Sequence, residues 1–264
     1  MENLEQDGRK PVIMFVVGRQ RVGKTVFLNV LAQYGREHGA DFEIWDADIL
    51  NASNNLSALH PEAKSPPSRD PDQAKAWLER QINHLMEDRV DAMVDVGGGE
   101  TALTRVIAEL PLADSLEEQG IRVVVVHMVG PDAADLDYLD SFEDGGLFAA
   151  PATLVVQNAG LVMTGGIDEA FASIYDHRTV GRVRERGGIV VQMPRLICMN
   201  EVTKRRLGFV EAYEGKKGAD GTAVAFLDRV RVRNWWTKEV PGVLFAEVPT
   251  AWFPGFPETA AATE

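Results

Sequence analysis

Apolar residues fall along this chain in short unbroken runs, each followed by a stretch with helical spacing. Val12-Ile13-Met14-Phe15-Val16-Val17 opens the series, and from Val26 to Glu37 the apolar positions Val26, Phe27, Val30 and Leu31 share one helix face. Asp41 to Asp46 reads as a second strand, Gln73 to Arg89 as a helix, Val90 to Asp95 as a third strand and Thr101 to Leu110 as a further helix. Ile121 to Met128, Thr153 to Gln157 and Gly188 to Met193 supply more strands. Runs that are apolar at every position suit strands buried on both faces. The expected fold is therefore α/β, a doubly wound, mostly parallel sheet with helices on both faces. Asn51 to Asp70, with Pro61, Pro66 and Pro67, reads as a loop. Phe226 to Trp236 and the Trp/Pro-rich end read as less regular, and Glu258 to Glu264 as a frayed tail.

The turn between the first strand and the first helix carries the sharpest chemistry. Residues Gly18-Arg19-Gln20-Arg21-Val22-Gly23-Lys24-Thr25 match the G-x-x-x-x-G-K-[ST] phosphate-loop pattern at every fixed position, with strand before and helix after. Glycines at 18 and 23 let the backbone curl so that N–H groups converge on one oxyanion. The helix N-terminus, the Lys24 ammonium and the Thr25 hydroxyl add charge and a ligand for Mg²⁺. The pattern makes a nucleoside triphosphate the first ligand to expect, with residues 18–25 and Val26 around it.

Composition narrows the setting. At 264 residues with 45% hydrophobic content, one large domain over 1–264 is expected, its nucleotide-binding core at about 11–196 and a helical or irregular extension at about 197–264. There is no apolar run of membrane-spanning length, and the acidic start Met1 to Asp7 lacks a signal-peptide core, so a cytoplasmic, soluble protein is expected. Cys198 is the lone cysteine, which excludes an intramolecular disulfide and marks a core filler. A net charge of −13 opposes bulk binding to nucleic acid and leaves partner choice to local patches.

Three carboxylates close predicted strands, where ligands of open parallel sheets sit: Asp46, Asp48 and Asp95, the last followed by Gly97-Gly98-Gly99. Asp95 fits a carboxylate holding Mg²⁺ through water beside a γ-phosphate sensor. Together with Asn158 after the fifth strand and Met193-Pro194-Arg195 after the sixth, these residues give the chain a resemblance to the ParA/MinD group of phosphate-loop ATPases, the SIMIBI class with a deviant Walker A motif. Within that group it looks most like the StbB-type proteins of conjugative plasmids. The resemblance implies Thr25 and Asp46 near Mg²⁺, Asp48 on the attacking water, Asn158 at the adenine edge and Pro194 lining the base pocket. It further implies an ATP-bound homodimer serving plasmid or DNA segregation, transfer or positioning, with DNA or a DNA-bound adaptor as partner. Where the group carries a signature lysine after the first loop glycine, this chain has Arg19, whose guanidinium could clamp the phosphates of a dimer partner or act in cis.

Two basic stretches stand out: Arg178, Arg182, Arg184 and Arg186 in one predicted helix, and Lys204-Arg205-Arg206 with Arg229, Arg231 and Arg233 beside Trp235-Trp236. They fit either a place where DNA phosphates or a partner's acidic surface docks, or the charged outer faces of helices. The chain end lacks a membrane-targeting pattern, so membrane binding is not expected. No guanine-reading N-K-x-D motif follows the fifth strand, which favours ATP over GTP. Two rival readings are a small-molecule kinase or ligase with residues 51–70 closing over an acceptor, and a nucleotide-dependent binding module with negligible hydrolysis.

Overall fold

The computed structural model describes residues 9–48, 56–98, 101–143 and 148–256. Six strands, β1 (Val12–Val17), β2 (Glu43–Asp46), β3 (Ala92–Asp95), β4 (Arg122–Val129), β5 (Ala152–Asn158) and β6 (Ile189–Met193), form one sheet in the order β2-β3-β1-β4-β5-β6. All five pairings are parallel. The helices are α1 (Lys24–Glu37), α2 (Pro71–Asp88), α3 (Ala102–Ile107), α4 (Leu112–Glu118), α5 (Ala133–Glu143), α6 (Ile167–Ala170), α7 (Ala172–Tyr175), α8 (Arg178–Glu185), α9 (Met199–Thr203), α10 (Phe209–Glu214) and α11 (Phe226–Asn234).

β1 shows why its run is unbroken. Val12, Met14 and Val16 pack on α1, while Ile13, Phe15 and Val17 face α2, α3 and α4. All six side chains are fully buried, each contributing roughly 1.5–3 kcal/mol of gross stabilisation against the chain's entropy. Asp91 braces the amino end of β1 by accepting from Val12 N at 2.8 Å and from the Arg9 guanidinium. The chain runs from β1 to β2 and back to β3, then crosses to β4 on the other side of β1. β1 is thus where the order reverses, and the crevice at its carboxyl end is where an open α/β sheet holds ligand.

The structure alters several expectations. The helix expected over Thr101 to Leu110 is the shorter α3, and a further helix, α4, follows it after Pro111. Part of the segment expected as a loop docks on the sheet edge: Leu56–Ala58 is a 3-10 turn, and Lys64 pairs along β2, donating its N–H to Ile44 and accepting from Asp46. Asn51 to Asn55, Gly99 and Glu258 to Glu264 lie outside the described residues. Phe226 to Trp236, expected to be irregular, is helical, running through α11 into π-helical turns at Trp235–Glu239 and Pro241–Phe245. Its apolar residues mislead because Phe226, Leu227 and Val230 are exposed while Val232, Trp235 and Trp236 are buried. The pattern then matches no single 3.6-residue stripe.

Trp235 and Trp236 are therefore core residues and are unavailable for interfacial membrane contact. The Trp235 indole N–H donates to the Pro194 carbonyl at 2.9 Å, and that of Trp236 to Glu37 at 2.9 Å. Both pack in the same cluster as β1 and α1, so the extension shares the core's apolar layer. Replacing Trp235 by Phe keeps most of the buried ring but strands the Pro194 carbonyl. A loss of about 1–3 kcal/mol is expected, read as a lower urea midpoint at unchanged slope.

Candidate functional site

Residues 18–25 form the turn at the carboxyl end of β1. Gly18, Arg21 and Gly23 all take positive φ, at +148°, +66° and +100°. Gly23 is the strictest position, since a Cβ there would stand 2.3 Å from Asn158 Nδ2. Beyond it α1 begins at Lys24 with no acidic residue in its first turn and no side-chain cap, which leaves its first N–H groups facing the loop.

Lys24 is 6% exposed. Its ammonium donates to the carbonyls of Gly18 at 2.9 Å and Arg19 at 3.0 Å, and no carboxylate pairs with it among the described residues. Burial lowers its pKa from the ordinary lysine value, against the pull of Asp95, Asp48 and Asp135. Thr25 Oγ1 donates to Asp95 Oδ2 at 2.8 Å. Asp95 is buried, and desolvation pushes its pKa up to about 7 despite the Thr25 bond and the Lys24 charge.

Asp46 and Asp95 stand side by side in the β2–β3 register. Asp46 Oδ2 accepts from the N–H and hydroxyl of Ser57 at 3.1 and 2.6 Å. One oxygen of each carboxylate, Asp46 Oδ1 and Asp95 Oδ1, is buried without a hydrogen-bond partner. Two such oxygens beside a threonine hydroxyl suit a hard cation that takes few protein ligands and keeps its waters, as Mg²⁺ does. Among the described residues no group of three His, Cys, Asp or Glu forms a metal cage. Asp48 lies against Gly97, and Gly98 presses so close to the phosphate loop that a Cβ there would stand 2.6 Å from Gln20 N. β2, β3 and the loop thus converge on one crevice. Gln20 and Arg21 are exposed at its rim, Val22 is buried and Val26 is half-buried.

Three expected site residues are engaged within the chain. Arg19 pairs with Asp132 at 3.2 Å and Asp135 at 3.1 Å, on and beside the first turn of α5, and Asp135 also accepts from Gly130 N. The Asn158 amide donates to the Val22 carbonyl at 2.8 Å and accepts from Gly160 N at 3.0 Å. It keeps one N–H and one lone pair for a base. The Pro194 carbonyl takes the Trp235 indole N–H. Asp132, Asp135 and Ser57 were not singled out from the sequence, because no motif places them and their roles arise from tertiary contact. In the first basic stretch, Arg178 pairs with Asp140, Arg186 with Glu143, and Arg184 lies over the Tyr175 ring.

No family model and no curated protein matches the chain. Solved structures with some likeness include the signal recognition particle receptor FtsY of Elizabethkingia anophelis in complex with GDP, at 14% identity and TM-score 0.43, covering 71% of this chain and 58% of that one. FtsY of Mycoplasma mycoides gives 13% and 0.43 over 88% and 70%. The 54 kDa signal recognition particle protein of Aeropyrum pernix K1 in complex with GDP gives 17% and 0.41 over 70% and 44%. The chain thus spans 44% to 70% of the length of these proteins. No helix of the described residues is long and apolar enough to cross a membrane.

The segment carrying Ser57 is anchored by a buried histidine. His60 Nδ1 accepts from Arg36 at 2.9 Å and Nε2 donates to Asn29 Oδ1 at 2.9 Å. Burial, and then the Arg36 charge, lower its pKa from 6.5 to about 4. The unfolded chain therefore takes up this proton first as pH falls, so stability drops between pH 6.5 and 4 and rises again with pH through the same window. The contribution is about 3 kcal/mol. Urea denaturation should show this slope in the parent protein and a flatter one in His60→Gln.

Proposed function

We infer that the chain is a Mg-ATP-dependent switch ATPase of ParA/MinD type that hydrolyses ATP slowly and alternates between a monomer and an ATP-bound homodimer, in plasmid or DNA segregation, transfer or positioning. The observation that carries the nucleotide reading is Lys24, a buried cation with no carboxylate paired to it among the described residues, at the positive end of a helix that follows a glycine turn. A triphosphate supplies the missing negative charge. Thr25 and Asp46 would hold Mg²⁺ directly and Asp95 through water, which accounts for the two buried oxygens without partners. The ion neutralises charge developing on the phosphates when bound. Asp48, beside Gly97 at the same strand ends, would position the attacking water. Asn158 would use its remaining donor and lone pair on the adenine edge, since no carboxylate follows it to accept from a guanine amino group.

Lys24→Ala should keep the circular dichroism of the parent and lose about tenfold to a hundredfold in ATP affinity, measured by fluorescent-nucleotide titration with and without Mg²⁺. Unchanged affinity in a folded variant rules the phosphate site out. Competition between ATP and GTP in the same titration tests the base.

Arg19 decides between the switch and a plain binding module. Its cis partners Asp132 and Asp135 hold the guanidinium at the crevice mouth, 41% exposed, where it could exchange them for the phosphates of a second copy. Arg19→Ala should bind ATP as the parent does but sediment as a monomer with a nonhydrolysable analogue, and Arg19→Lys should recover part of the dimer. A parent that stays monomeric in every nucleotide state removes the dimer mechanism and leaves the binding module.

A further inference from the structure

Four of the seven exposed large apolar side chains among the described residues gather at one place. Phe226, Leu227 and Val230 are 69%, 65% and 51% exposed on the first turns of α11, and Ile197, 75% exposed, lies on the segment leaving β6. Cys198 Sγ is 3.7 Å from the Asp228 carbonyl, so Ile197 emerges beside the same turn of the helix. The three α11 residues point one way because Val232, Trp235 and Trp236 turn the opposite side into the core. This face is rigid: α11 runs directly into the turn whose Trp235 is bolted to Pro194. Apolar clusters of this kind on an otherwise polar surface mark docking sites.

The charge around it indicates what docks. From Arg195 to Val240 ten Lys and Arg stand against six Asp and Glu, a net charge of +4, while the whole chain carries −13. Lys217, bridged to Ala223 just ahead of α11, and Arg233, two turns beyond Phe226, are exposed and form no ion pair among the described residues. A second copy docking face to face would set like charge on like charge. Phosphates of a nucleic acid would gain nothing from Phe226, Leu227 and Val230. A bilayer would find the two tryptophans already buried.

We propose that Ile197, Phe226, Leu227 and Val230, flanked by Lys217 and Arg233, form a docking face for an acidic amphipathic helix of another protein. The apolar residues take its apolar stripe and the flanking cations its carboxylates. The face adjoins the carboxyl end of β6 and is independent of which nucleotide the crevice takes.

The test is a phage-displayed library of amphipathic helices with fixed apolar positions and randomised polar ones, selected on the full chain without nucleotide. Enriched peptides should be net negative and should lose about tenfold or more in affinity to Phe226→Ser/Val230→Ser and to Arg233→Glu, both keeping the parent circular dichroism. No enrichment, enrichment of neutral or basic peptides, or equal affinity for the variants overturns the proposal. So does binding to phosphatidylglycerol vesicles, binding to duplex DNA or self-association in sedimentation that the parent shows and the Phe226→Ser/Val230→Ser variant loses, since another occupant then owns the face.

Discussion

An ammonium group taken out of water, with no carboxylate paired to it among the described residues, is the constraint around which this molecule is organised. Lys24 can be buried because two loop carbonyls, those of Gly18 and Arg19, are bent back to meet it. That bend requires positive φ on both sides of the turn, at Gly18 and Gly23, with Arg21 between them in the same region. Carbonyl dipoles offset only part of the desolvation of a full charge, which is why the pKa of Lys24 falls even with Asp95, Asp48 and Asp135 nearby. The site is left electrically incomplete, and a bound anion would complete it.

A loop in so unusual a conformation needs support from outside itself. Three strand ends supply it: Met128, at the end of β4, lies against Gly18, Asn158 of β5 holds Val22, and Gly98 beyond β3 presses on Gln20. Each support is a contact too close for a larger side chain or a directed hydrogen bond, and each comes from a different crossover of the sheet. The order reversal at β1 brings these ends together.

The sheet was legible from the sequence for a simple reason. Central strands buried on both faces leave unbroken apolar runs, the edge strands β2 and β6 leave more broken ones, and all six were found within a few residues of their bounds. The glycine turn at residues 18–25 was legible because the phosphate-loop pattern fixes four positions at a fixed spacing. Arg19 was singled out, but its partners Asp132 and Asp135 were not, since an ion pair more than a hundred residues apart leaves no local pattern. The extension was misread where burial ceased to follow helical period: exposed Phe226, Leu227 and Val230 look like core, and Trp235 and Trp236 beside arginines look like surface. The π-helical turns after Asn234 shift the register further, and no propensity in Trp235 to Glu239 announces them.

α1 joins the crevice to that extension. Its amino end carries Lys24 and Thr25, while Asn29, just over one turn on, accepts from both His60 and Gln33, and Gln33 Oε1 accepts from Phe209 N at 2.7 Å. This hydrogen-bonded chain runs from the Ser57 to Ser65 segment, which holds Asp46, through one rigid helix to α10, which packs on α11. The donors and acceptors along it are buried or half-buried, so breaking one link strands a polar group at a cost of about 1–3 kcal/mol. The crevice and the exposed apolar face are thus tied into one frame through α1 and α10.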